Sequence, residues 1–359
     1  MFKPRVLLLT NESKPGDASG QINGFELLVS SGEIRSCNST SHIEGYDKFP
    51  AHERVMNALT NFDYDVVVLW TPKVFPSDLT KFEEIINKIN GRPVLYWEGD
   101  PWSSNKKPKI TIQMSWWMSH SSIVFSTVSQ PHVDLFKQAG AKHVSFCPNT
   151  YCHIKFAEQE IEPPPKLETG YKADVCVIAS NTSRIPGVSG LPGNMQRWEL
   201  VTRLRFDTDL TSNLFGRNWP RNWSMGYLPY SEQAREIRRY RMSLNWDHFP
   251  EYRDYSSDRL PIALIAGRPH ISTKHPGMHW APEIENGFFQ EESPKNMIVK
   301  AQQLLDLDSS QLWKIGFEAY KWARFRISHR ESARYIMSQY FNHIKSPPND
   351  PWGNLPGPW

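Results

Sequence analysis

The chain lacks any long hydrophobic run. Its N-terminal apolar stretch, residues 6–9, is far too short for a signal peptide. Nothing approaches the roughly 18–20 apolar residues that cross a bilayer, so a membrane-spanning protein is not expected. Cysteine is scarce as well. Cys37, Cys147, Cys152 and Cys176 form no CxxC pair and have no accompanying histidine ladder. That pattern argues against a disulfide framework or a zinc site and fits a reducing cytoplasm. Charge of one sign is not in excess: 41 Lys and Arg face 38 Asp and Glu, a net of +3. So small a surplus neither implies nor opposes nucleic-acid binding. No GxGxxG follows an apolar run, which disfavours a dinucleotide-dependent dehydrogenase, and no repeat of solenoid period is present.

What is there is an ordinary globular composition, 39% hydrophobic and 22% charged, in a chain of 359 residues. That length suffices for two domains, each with its own core. Fourteen Trp is a high count. Most should fill core, and a few could stack on a sugar or a base.

Continuous apolar runs at 5–10, 66–70, 93–97, 122–126 and 144–147 read as buried parallel strands. Helical segments at 25–29, 78–89 and 130–138 alternate with them, and a glycine-bearing loop, Gly16 to Gly24, follows the first strand. Residues 157–172, with Pro163, Pro164 and Pro165, read as a linker. The alternation then restarts, with strands at 174–179, 212–215, 241–245 and 269–272 and helices at 194–205 and 260–266. Two further helices, 311–325 and 331–343, precede an irregular tail from 346. The expected organisation is an α/β protein with a Rossmann-like domain over 1–156, a linker, and a second Rossmann-like domain over 173–345.

Ligands of open α/β sheets bind beyond the carboxyl ends of the strands. There the second half offers Ser180, Asn181 and Arg184, with Arg197 at the next helix start. Small residues let backbone N–H groups approach a phosphate, and guanidinium forks fit it; solvated or helix-surface arginines are the competing reading. Gly216 and Arg217 follow another strand, where Gly216 could relieve crowding beside a base or ribose and Arg217 could cap it; a plain strand-end turn explains Gly216 equally well. Ser256, Ser257 or Asp258 could cap a helix ending at Gly267, with Arg259 completing a diphosphate cradle. In the first half Asp100, or else Glu98, stands at a strand end where a carboxylate could take a hydroxyl proton. Trp102 and the Gly20 and Gly24 loop would seat the hydroxyl's owner. Asp before Pro is also a common turn starter. The histidines, at 132, 143, 153, 248, 270, 275 and 279 among others, show no catalytic spacing and read as structural.

The stretch Ser243-Leu-Asn-Trp, Ser257-Asp-Arg, Ala266-Gly-Arg-Pro and Ser272-Thr-Lys-His-Pro-Gly277 resembles the C-terminal half of spore-protein-like glycosyltransferases of the GT-B fold. Glu291-Glu-Ser-Pro and His329 ahead of Arg334 continue the likeness over most of residues 174–340. The resemblance implies two Rossmann-like domains facing across a cleft. It also implies a nucleotide-diphospho-sugar, such as a UDP-sugar, on the C-terminal domain and no obligatory metal. One departure is Ile262, where the family presents a glutamate to the ribose. The order of strands and loops is also similar to T-even phage DNA beta-glucosyltransferases. That likeness places Asp100 at the catalytic base and Arg184, Arg197 and Arg259 near the phosphate-binding arginines. The implied acceptor is a hydroxymethylated pyrimidine in duplex phage DNA, reached by base flipping with Trp97, Trp102 or Trp116 filling the gap, in a host cytoplasm. Basic runs at 235–241 and 106–109 fit it. The first family implies a cell-envelope or spore glycan instead, and a degenerate protein that binds sugar nucleotides without turnover is a third reading. Inversion and retention stay open, as does the oligomeric state.

Overall fold

The computed structural model describes residues 2–99, 110–166, 170–183, 190–282 and 286–343. The chain divides into two units, residues 1–148 with 329–359, and residues 149–328.

The first unit holds a six-stranded parallel sheet. Its strands are β1 (Arg5–Thr10), β2 (Ser36–Ser41), β3 (Val66–Trp70), β4 (Val94–Glu98), β5 (Ile123–Ser126) and β6 (Val144–Phe146). Their order is β2-β1-β3-β4-β5-β6. Alternate residues of β1 divide between two cores: Leu7 and Leu9 face one layer, Val6 and Leu8 the other. Helices α1 (Ser19–Ser30), α2 (Ala51–Asn61), α3 (Leu79–Ile89), α4 (Ile112–His120) and α5 (His132–Gln138) are the crossovers. Such burial on both faces is why the central strands are apolar throughout. β2 escapes that pattern because it is an edge strand, Ser-Cys-Asn-Ser-Thr-Ser, mostly half-buried.

The second unit carries β7 (Val175–Ile178), β8 (Ser212–Phe215), β9 (Met242–Asn245), β10 (His270–Thr273) and β11 (Phe288–Glu291). All pair in parallel, in the order β11-β10-β9-β7-β8. Around them lie α6 (Ala157–Ile161), α7 (Asn194–Phe206), α8 (Gln233–Ile237), α9 (Arg259–Ala266), α10 (Pro294–Leu305) and α11 (Ser309–Arg326). Gly267 ends α9 with φ 74°, the left-handed cap expected of it.

Three expectations are corrected. Helix α12 (His329–His343) belongs to the first unit, not to a second domain running to 345. It buries Tyr335, Ile336 and Tyr340 in the same core as Phe25 and Leu28 of α1. Gly20 and Gly24 are not in an acceptor loop; they lie inside α1. A Cβ on Gly24 would stand 2.7 Å from the His329 carbonyl oxygen, so this glycine lets α1 and α12 touch. The proline stretch is not a free linker either. Within the second unit the Pro164 carbonyl accepts from Trp313 Nε1 at 2.9 Å and the Pro165 carbonyl from Arg268 at 3.1 Å. It is a strap bound along α9 and α11.

Candidate functional site

From β7 the chain passes to β8 on one flank and then to β9 on the other. The strand order therefore reverses between β7 and β9, and a doubly wound sheet opens its ligand crevice at that point. The loops leaving these two strands, residues 179–183 and 246–254, carry the buried polar side chains of Asn181, Asp247 and Asp254.

Arg197 occupies the middle of this region and is 1% exposed. Its Nε and one Nη donate to the Trp246 carbonyl at 2.8 and 2.6 Å. The other Nη donates to the Ser180 carbonyl at 3.1 Å and meets His248 Nε2 at 2.5 Å. One guanidinium thus staples the end of β7 to the end of β9. Burial, with the Arg259 charge nearby, lowers its pKa to about 9. Burial and the same two arginines lower His248 to about 2, leaving a neutral imidazole that accepts from Arg197. This guanidinium, expected beside a phosphate, is engaged with the two strand ends.

Asp247, which sequence reasoning did not single out, anchors the neighbouring cluster. Its carboxylate accepts from Asn245 Nδ2 at 2.7 Å, Ser257 Oγ at 2.8 Å, His275 Nε2 at 3.1 Å and Ser272 Oγ at 3.3 Å. Burial pushes this carboxyl up, but the His275 and Ser257 hydrogen bonds and the Arg197 charge outweigh it and hold it well below the carboxylate range. The strand-end rule, applied to β9 as it was to β7 and β8, would have found it.

Ser257 is therefore spent on Asp247, and Asp258, the N-cap of α9, makes no side-chain cap. The Ser256 carbonyl accepts from Asn149 at 2.9 Å, while its buried Oγ has no partner among the described residues. Arg259 differs from Arg197. Its side chain is 27% exposed, and its Nε donates to the Ile178 carbonyl at 2.8 Å. Nη1 lies 3.4 Å from Asp258, and Nη2 has no partner among the described residues. One edge of the fork fixes it at the end of β7 and leaves the other available. Ile262 is fully buried and lines a small hollow with Ser243, Asn245, Arg259 and His270.

Ser180, Asn181 and Gly216 lace the ends of β7 and β8 together. The Arg217 N–H donates to Ser180 Oγ at 3.1 Å, and the Asn181 and Asn218 amides each donate to the other's carbonyl. A Cβ on Gly216, at φ 141°, would lie 2.0 Å from the Ala179 carbonyl oxygen, so close approach of backbones requires glycine there. The Arg217 guanidinium stands 4.3 Å over the Tyr227 ring.

In the first unit Glu98 is fully buried at the end of β4, accepting from Tyr96 Oη at 2.6 Å. Asp100, Trp102 and Arg184 lie outside the described residues, as does the basic run at 106–109. Trp97 and Trp116 pack against core clusters. In the run at 235–241, Arg235 pairs with Glu158 and Glu232, Arg239 with Glu236, and Arg241 with Asp174. Buried Arg238 donates to the carbonyls of Ala266 and Glu162. All four cysteines are free thiols. Among the described residues no cluster of three His, Cys, Asp or Glu could hold a metal, and no helix is long and apolar enough to cross a membrane.

No family model matches the chain, and no curated protein matches it. Solved structures do. An alpha-glucosyltransferase in complex with UDP and a 13-mer DNA containing an HMU base superposes with TM-score 0.61 at 9% identity, over 96% of this chain and 100% of that one. HepE of Anabaena in complex with UDP-glucose matches with TM-score 0.55 at 14% identity, over 94% and 100%. A mutant of T4 phage BGT in complex with UDP-glucose matches with TM-score 0.53 at 13% identity, over 96% and 99%. The fold is GT-B, two Rossmann-like α/β domains, as the sequence resemblance implied.

Proposed function

We propose that the protein is a glycosyltransferase that takes a sugar from a nucleotide diphosphate, with UDP-glucose the first donor to test. The observation that carries this reading is Arg259. At the second sheet's reversal point its guanidinium is held through Nε by the Ile178 carbonyl and through Nη1 by Asp258, and still offers Nη2. Around it Arg197 and Asp247 hold the loops rigid, so a diphosphate would meet a prearranged positive edge. The N-terminus of α9 adds its partial positive charge. The HepE and BGT structures, both UDP-glucose complexes on this fold, support the donor class.

The acceptor oxygen attacks the sugar's anomeric carbon as the bond to the diphosphate oxygen breaks. Arg259 balances the charge that gathers on the leaving diphosphate. Asp100, two residues beyond the end of β4, takes the acceptor proton if configuration inverts; if it is retained, Asp100 orients the acceptor. For the acceptor we favour a hydroxymethylated pyrimidine in duplex DNA. The support is the DNA complex of the alpha-glucosyltransferase on the same fold.

Thermal denaturation with and without nucleotide sugars tests the donor. A ligand that binds only the folded state at about 100 times its Kd adds about 2.7 kcal/mol. No shift with any nucleotide sugar would remove the assignment. Release of UDP that depends on hydroxymethylated duplex and not on ordinary duplex tests the acceptor.

A further inference from the structure

Residues 217–223 read Arg-Asn-Trp-Pro-Arg-Asn-Trp, the same triplet twice with a period of four. The backbone repeats with it. Asn218 and Asn222 both take the left-handed conformation, at φ 65° and 67°. Asparagine tolerates that region better than most residues. In both triplets the left-handed Asn precedes a partly buried Trp, and the Arg stays exposed. Trp219 and Trp223 both pack on Trp198 of α7, with ring centroids 5.3 and 5.4 Å away. Both also lean on the core of the second unit, and Trp219 Nε1 donates to the Ala179 carbonyl at 2.7 Å. The result is a rigid aromatic shelf beside the edge strand β8.

On that shelf stand exposed guanidiniums with no carboxylate partner among the described residues. Arg217 lies over Tyr227, Arg205 lies 5.6 Å over Trp223, and Arg221 projects between them in sequence. The acids of α7 do not neutralise them, because Glu199 and Asp207 both pair with Arg203. Residues 210–229 contain Arg217 and Arg221 and not one Asp or Glu. The contrast with the run at 235–241, where Arg235, Arg239 and Arg241 each have an acidic partner, is complete. Exposed Phe206, Met225 and Tyr227 complete the surface, at 62%, 69% and 60%. Arginines without counter-ions among the described residues, two of them over aromatic rings, suit a repeating anion, and guanidinium forks match phosphate bidentately.

We infer that Arg205, Arg217 and Arg221 on the Trp198, Trp219 and Trp223 shelf grip the phosphodiester backbone of the duplex DNA acceptor, outside the donor site. The inference rests on DNA being the acceptor. Its test compares the wild type with the double variant Arg217→Ala/Arg221→Ala, the corresponding double lysine variant, and Arg235→Gln as a paired-arginine control. Duplex affinity is measured across salt. Each phosphate contact contributes about 0.9 to the log–log slope, so the alanine pair should flatten it by about 1.8. Between roughly 50 and 200 mM salt the wild type should then lose about tenfold more affinity than the variant. The lysine pair should keep the slope, the control should match the wild type, and UDP-glucose binding should be the same in all four. An unchanged slope in the alanine pair, with the wild type still glycosylating duplex, overturns the inference and leaves the acceptor reading intact. A wild type that neither binds nor glycosylates duplex overturns both. A loss of UDP-glucose binding in the alanine pair assigns these arginines to the donor and also overturns it.

Discussion

Both sheets organise their strand ends with a buried arginine, and the two arginines do different work. In the first unit Arg54, on α2, donates to the carbonyls of Ser41, Ile43 and Phe49 and to the Asp47 carboxylate. These partners lie in the single segment between β2 and α2, and a carboxylate sits directly on the fork. In the second unit Arg197 reaches two loops, from the non-consecutive strands β7 and β9, with no carboxylate in hydrogen-bond contact. Its charge is offset through Asp247 at longer range, and its pKa falls to about 9. The first arrangement shapes one loop. The second ties the ends of two strands together, and holds its guanidinium there without a direct carboxylate partner.

The largest effect should therefore come from Arg197→Ala. It strips donors from the buried Trp246 and Ser180 carbonyls and leaves Asp247 without its nearby cation. We expect a loss of about 3–5 kcal/mol in urea denaturation. Arg197→Lys should not restore it, since one ammonium cannot bridge two loops as a fork does. Arg54→Ala should cost less, about 1–3 kcal/mol, because the damage stays within one loop. Equal losses at the two positions would erase the distinction.

Arg259→Ala should invert that profile. With 27% of its side chain exposed and one backbone hydrogen bond, its removal should leave unfolding nearly unchanged. Turnover should fall about 10²–10³-fold, the usual consequence of removing one donor from a developing charge. Steady-state kinetics beside a melting curve separates the two. Asp100→Asn should lower kcat while UDP-glucose still raises the melting temperature. A lost thermal shift in that variant would move Asp100 from the acceptor proton to the donor.

Much of the fold was legible because burial on both faces of a parallel sheet writes continuous apolar runs, as at β1, β3 and β7. β2 was not, since an edge strand of serine, threonine and asparagine carries no such run. The return of α12 to the first unit was hidden for another reason: an amphipathic helix shows that one face is buried but not against what. At the candidate site, the strand-end rule named loops from the sequence. It could not say which way a guanidinium turns, so Arg197 and Arg259 read alike in the sequence although one is engaged with two strand ends and the other still offers Nη2. Gly216 was ambiguous for the same reason, because a turn and a close backbone approach both ask for glycine. Asp247 and His275 are 28 residues apart, and only the pairing of β9 with β10 brings them together.

The smallest effect is expected from acid, and it tests whether the two units differ in charge rather than in burial. Each unit buries two imidazoles with lowered pKa values: His42 at about 4 and His132 at about 3 in the first, His248 at about 2 and His270 at about 4 in the second. Burial is the leading cause in all four. A histidine held neutral in the folded state contributes fully above its unfolded value of about 6.5. As pH falls below that value the unfolded chain takes up the proton first, so stability declines until the folded pKa is reached. At pH 5 the difference is about 2 kcal/mol for each such residue. His42→Gln and His270→Gln, whatever they cost at pH 7, should each remove about that much from the decline between pH 7 and 5. Asp247 runs later, because a depressed carboxyl loses its contribution only as pH drops below about 4. Asp247→Asn should thus leave the pH 7 to 5 decline intact and flatten the curve only below it. A decline that Asp247→Asn abolishes at pH 5 would mean that Arg197 and His275 hold this carboxylate less firmly than their geometry indicates.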